Sequence, residues 1–117
     1  MQVAITCRHG SIRPDQREYI ERKSQKIVRY LEEVSEIGVT LEFEGPRVAV
    51  EVRVEIDGHH TMVAEVEGED SVITFDQALT KMEHQVHRFK EKRRDHRRDK
   101  PLNEVAGLDV SAEPDSE

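Results

Sequence analysis

The chain has 117 residues, of which 35 % are hydrophobic and 37 % charged, and its formal net charge is −7. That length admits one core and not two, and such polarity obliges the apolar residues to gather on one face of each element. No run approaches the roughly 18 apolar residues of a membrane span, and the N-terminus MQVAIT lacks a basic-then-apolar leader, which points to a soluble, cytoplasmic protein with no membrane partner.

Residues 2–7 alternate as a strand does, with Val3, Ile5 and Cys7 on one face and Gln2, Ala4 and Thr6 on the other. Arg8-His9-Gly10-Ser11 reads as a turn. Pro14 then suits the first turn of a helix, where its missing N–H costs nothing, and Asp15 suits the positive end of the macrodipole. Arg13 is a poor cap, so Ser11 is the expected N-cap. Ile20, Ser24, Ile27, Val28 and Leu31 recur at helical spacing and predict a helix running to about Glu33.

Three strands are expected next. Ile37, Val39, Leu41 and Phe43 alternate with Gly38, Thr40 and Glu42, and Gly45-Pro46 makes a turn. Val48, Val50, Val52, Val54 and Ile56 alternate with Ala49, Glu51, Arg53 and Glu55. Asp57-Gly58 is a hairpin signal, and Met62, Ala64 and Val66 continue the apolar face on the return strand. Asp70 is placed to cap a second helix whose stripe is Val72, Phe75, Leu79, Met82, Val86 and Phe89, and charged residues carry it to about Lys100, before Pro101.

The order is β-α-β-β-β-α. One apolar face per strand and one stripe per helix predict an α+β, two-layer domain over residues 1–100, with both helices on one face of a four-stranded sheet, as in double-stranded-RNA-binding domains. Residues 101–117 have no period and read as an acidic, disordered tail.

Catalytic and metal chemistry find little support. His84 and His87 stand i, i+3 on one helix but lack a third ligand in sequence, so they read as solvated, and His59-His60 fall at the hairpin turn. The single cysteine, Cys7, excludes a disulfide framework or cysteine metal cluster within one chain, and its place on the apolar face makes it a core residue. No glycine-rich phosphate loop, no G-x-S-x-G and no Ser/His/Asp arrangement occurs. The chain is expected to be no enzyme and to need no cofactor or metal.

The distribution of charge is more informative than its sum. Residues 81–100 carry nine Lys/Arg against four acids, and residues 13–31 carry six against three. Residues 36–76 carry two against eleven, and residues 101–117 carry five acids and no base. On a helical wheel Arg22, Lys26 and Arg29 fall within about 60° of one another, opposite Ile20, Ile27 and Leu31. Lys81, Gln85, Arg88 and Lys92 form a second stripe. Charge on an outer helix face is often plain solvation with i, i+4 pairing, and Glu18 is placed to pair with Arg22. Lys26, Arg29, Arg88 and Lys92 meet few acids at matching positions, so the two stripes predict a basic band that fits a phosphate backbone. The other sheet face should present Glu42, Glu44, Glu51, Glu55, Glu65 and Glu67 with Arg53 as lone counter-charge. It has no aromatic on which a base could stack.

The opening MQVAITCRHGSIRPDQREYIERKSQKIVRYLEE, with Arg17, Lys23, Lys26 and Tyr30 in place, resembles the start of the ribosome hibernation-promoting factor family, also called ribosome-associated inhibitor or sigma-54 modulation protein. EGED at 67–70 and FDQALTKMEHQVHRFKEK at 75–92 are similar to that family's second helix, with Asp70, Asp76, Lys81, Gln85, Lys90 and Lys92 at matching positions. The resemblance covers about residues 1–95. It implies a stress or stationary-phase factor that lodges in the small-subunit channel of the ribosome. There it would contact 16S rRNA through its basic helices, exclude tRNA and mRNA, and stop translation. Separately, the free protein is expected to be a monomer. The residues expected to bear the rRNA contacts are Arg22, Lys23, Lys26, Arg29, Lys81, Arg88, Lys90, Lys92 and Arg93. Val72, Phe75 and His84 depart from the family's usual Tyr, Ile and basic residue, and His84 would make one contact pH-dependent. With only an acidic tail after Lys100, the chain looks like a short form. Two other readings stay open: a protein-interaction module using the acidic sheet face, and a general double-stranded-RNA binder.

Overall fold

A computed structural model describes the backbone of residues 2–57 and 60–98 and the side chains of residues 3–57 and 60–92. Gly58 and His59 of the expected hairpin, the helix end at 99–100 and the tail 101–117 lie outside the described residues. The elements are β1 (Gln2–Arg8), α1 (Pro14–Tyr30), β2 (Val34–Glu44), β3 (Arg47–Ile56), β4 (His60–Gly68) and α2 (Ser71–Arg98). Two units divide the chain, Met1–Val86 and His87–Glu117; the sheet, α1 and the first part of α2 belong to the first.

The sheet order is β1-β2-β3-β4. β1 and β2 are parallel, which requires a crossover, and α1 supplies it; the other two pairs are antiparallel. The register aligns the apolar residues into rows across the sheet. One row is Ile5, Val39, Val52 and Ala64; another is Cys7, Leu41, Val50 and Val66. A one-residue slip would turn every row to solvent, so the alternation itself holds the register. Beneath these rows Ile20 and Ile27 of α1 and Phe75, Ala78, Met82 and Val86 of α2 are buried, each contributing about 1.5–3 kcal/mol where the side chain is large. The opposite sheet face carries no helix, and its residues are half-buried or exposed. The fold is thus the α+β β-α-β-β-β-α arrangement that the pattern predicts.

Several local expectations are corrected. β2 begins at Val34, three residues before Ile37, because a bulge between Val34 and Glu36 lets Val34 pair with Ile56 while keeping both Val34 and Ile37 inward. The extra residue, Ser35, donates its hydroxyl to Glu55 O at 3.1 Å. That early strand also shortens α1: Leu31 leaves the helix with φ −135° and ψ 106° yet stays buried, so the helix ends at Tyr30 rather than Glu33. At the other end Arg13, not Ser11, is the N-cap. Its N–H donates to Gln16 Oε1 at 3.0 Å, which supplies the helix-to-cap half of a capping box; an arginine side chain has no acceptor to return the other half. The Arg13 guanidinium instead pairs with Asp15 at 3.1 Å and holds that carboxyl below its usual range. Cys7 is half-buried on the edge strand rather than a fully enclosed core residue.

α2 starts as expected: Asp70 Oδ1 accepts from the Ile73 N–H at 2.9 Å. Gly68 is needed just before it, because a Cβ there would strike the buried Thr74 Oγ1. The turns use left-handed backbone at Gly45 (φ 59°) and Asp57 (φ 51°), the latter in keeping with an Asp-Gly hairpin signal.

Candidate nucleic-acid interface

The outer face of α1 is built by the same periodicity that buries its other side. With Ile20, Ser24 and Ile27 directed to the core, Arg22, Lys26 and Arg29 recur at i, i+4 and i+7 on the exposed side, and Lys23 sits half-buried beside them. Among the described residues, none of these four cations has a carboxylate within 4.0 Å. The expected Glu18–Arg22 pair does not form. Arg22 and Lys23 are drawn instead to Tyr19, one helical turn earlier: the guanidinium carbon of Arg22 lies 6.0 Å, and Nζ of Lys23 5.6 Å, from the ring centroid.

Tyr19 is itself fixed from α2. Its hydroxyl donates to the Asp76 carboxylate, at 2.9 Å to Oδ1 and 3.1 Å to Oδ2, and its ring meets Phe75 edge-on at 6.4 Å between centroids. The bond to Asp76, with burial and the negative charge beside it, pushes the phenol above its ordinary pKa, against a smaller opposing pull from Arg22. The sequence reading did not single out Tyr19. The available signal was Tyr19 standing three and four residues before Arg22 and Lys23, with Asp76 at a position shared with the family; that these meet is a tertiary fact.

Two members of the second stripe, Lys81 and Gln85, have backbone partners on the sheet. Lys81 Nζ donates to Glu65 O at 3.2 Å, and Gln85 Nε2 donates to Val63 O at 2.9 Å. Both side chains thus reach the outer edge of β4 and occupy backbone acceptors that no strand pairs. This blunts an edge that would otherwise invite another chain. Arg88, Lys90 and Lys92 follow on α2 within the second unit, where His87 Nε2 lies 3.4 Å from Glu91. The side chain of Arg93 lies outside the described residues.

The outer sheet face is acidic, as expected, but Arg53 is not its lone counter-charge. Arg8 lies 3.8 Å from Glu42, and Arg47 lies 3.7 Å from Glu67. These bases escaped the alternation argument because Arg8 and Arg47 sit at strand ends. His9 also reaches Glu42, at 3.6 Å. Glu51 and Glu65 stand directly opposite each other with like charge, so an excess of acid remains on this face. Among the described residues no group of three or more His, Cys, Asp or Glu could hold a metal ion, and no helix is long and apolar enough to cross a membrane.

No curated protein sequence matches the chain significantly. Among solved structures, a ribosomal subunit interface protein from Coxiella burnetii is similar with a TM-score of 0.70 and 27 % identity, over 78 % of this chain and 99 % of that one. The N-terminal domain of Thermus thermophilus Protein Y is similar with a TM-score of 0.66 and 27 % identity, over 76 % and 99 % of the two chains. Residues 3–94 match the family described as sigma 54 modulation protein / S30EA ribosomal protein, and with its β-α-β-β-β-α fold the chain belongs to that family of ribosome-associated factors.

Proposed function

We propose that this protein is a non-enzymatic ribosome hibernation factor. In the cytoplasm, under stress or in stationary phase, it binds 16S rRNA in the small-subunit channel that tRNA and mRNA use, and so inhibits translation. The observation that carries the reading is the row of exposed cations on α1 in a chain matched to a ribosomal family over residues 3–94. A solved relative named for the ribosomal subunit interface supports the partner. The binding domain is assigned to residues 1–100, which act as a monomer when free, with 101–117 as an acidic tail. Arg22, Lys23, Lys26 and Arg29 bear phosphate contacts from α1, and Arg88, Lys90, Lys92 and Arg93 bear them from α2. Lys81 belongs to the same α2 set: its bond to Glu65 O uses one of three ammonium donors and leaves the charge in place. Exposed cations suit this work: each phosphate they neutralise releases counterions, and the shape of a folded RNA rather than base edges then sets the site.

The test is binding to isolated small ribosomal subunits as a function of salt. Replacing Arg22, Lys26 and Arg29 by Ala should weaken binding and lower the slope of log affinity against log salt by about 2–3 units. An unchanged slope would remove α1 from the interface. Competition between a bare RNA duplex and small subunits separates a ribosome factor, which prefers the subunit widely, from a general double-stranded-RNA binder, which does not.

A further inference from the structure

Three groups share one phenol. The Tyr19 hydroxyl holds both oxygens of Asp76, while Arg22 and Lys23 stand over its ring at 6.0 and 5.6 Å. An aromatic face attracts a cation without using its N–H donors, so both side chains are held in place with their hydrogen bonds still to offer. A carboxylate would act differently, because it takes those donors directly and a phosphate must then displace it. Asp76 is such a carboxylate. It is joined to the same residue that seats the cations, and its two oxygens share the phenol proton, which satisfies part of its acceptor capacity and fixes its orientation.

We propose that Tyr19 is a positioning residue of the RNA-binding face: its hydroxyl keeps Asp76 engaged and its ring seats Arg22 and Lys23, so that these cations meet an incoming phosphate rather than the neighbouring acid. The inference rests on the proposed function, in which α1 contacts rRNA. It adds that one tyrosine on α1 and one aspartate on α2 set how ready those contacts are. Phe75 fits the same role: it packs edge-on against the ring and fixes the plane over which the cations lie.

The experiment uses the full chain as wild type, Tyr19→Phe, Asp76→Asn and the double variant, each checked for folding by thermal melting. Binding to isolated small ribosomal subunits is measured at one fixed salt concentration. Tyr19→Phe keeps the ring but frees Asp76 to pair with Arg22 or Lys23, and should weaken binding by about two- to fivefold. Asp76→Asn should bind at least as tightly as wild type, and the double variant should recover the affinity of Asp76→Asn, since no carboxylate is left to compete. A tether that merely joined the two helices would show the opposite pattern, with each single variant weakened and no recovery in the double; that result overturns the proposal. Wild-type affinity in Tyr19→Phe also overturns it. The two failures are separable: if the Arg22, Lys26 and Arg29 triple variant binds normally, the RNA-face reading itself falls, whereas a weakened triple variant beside an unaffected Tyr19→Phe defeats only the role of Tyr19.

Discussion

On the outer face of the sheet, Arg8 and Arg47 lie 3.8 and 3.7 Å from Glu42 and Glu67. On the outer face of α1, Arg22 and Lys23 lie over an aromatic ring, and Lys26 and Arg29 have no carboxylate within 4.0 Å among the described residues. Exposed ion pairs add little to stability, so the difference is not chiefly one of folding energy. It is one of availability. A base already paired must give up its acid before it can take a phosphate, and a surplus of acid around it repels RNA. On the sheet face two bases are thus held by acids and acid is left over, whereas the cations of α1 stay open to an outside anion.

The comparison can be broken at three levels. The largest effect is expected at Phe75, which is fully buried and supports Tyr19 from below. Phe75→Ala should cost about 3–5 kcal/mol in urea unfolding, undermining the helix layer while leaving the sheet's outer ion pairs in register. A loss under about 1 kcal/mol would mean that the α1 face does not depend on that core.

A smaller effect is expected at Lys81, a cation that also donates to backbone. Lys81→Met should lower the salt slope of small-subunit binding by about one unit and cost about 0.5–1 kcal/mol through the lost bond to Glu65 O. An unchanged slope would remove Lys81 from the phosphate-binding set. Smallest of all is the sheet face. Replacing both Glu51 and Glu65 by Lys exchanges one like-charged cross-strand pair for another, and should change stability by no more than about 0.5 kcal/mol. Small-subunit binding should not weaken, and should rise slightly at low salt as the surplus of acid falls. Strong loss of binding would place the acidic face in the interface and make the contrast between the two surfaces wrong.

The elements themselves were legible because their signals are local. Period-2 alternation from Val48 to Ile56 and the stripe from Phe75 to Val86 can each be read within a single window, and the buried residues follow them. The Asp70 cap was legible for the same reason, since donor and acceptor lie three residues apart. The start of β2 was not, because a bulge shifts it, and a bulge is a property of two strands rather than one.

The site was legible as a set of residue types and not as a set of contacts. A helical wheel puts Arg22, Lys26 and Arg29 on one face, and the structure keeps them there. The same wheel puts Lys81 and Gln85 in line with Arg88 and Lys92, but says nothing of the β4 edge that takes up the first two. Tyr19 and Asp76 are 57 residues apart in the chain, and only the packing of α1 beside α2 brings the phenol to the carboxylate. Sequence alone determined which side of each element faces water, since periodicity is set by the backbone repeat. Tertiary structure decided which exposed charges are satisfied and which remain on offer, since that depends on neighbours the chain delivers only by folding.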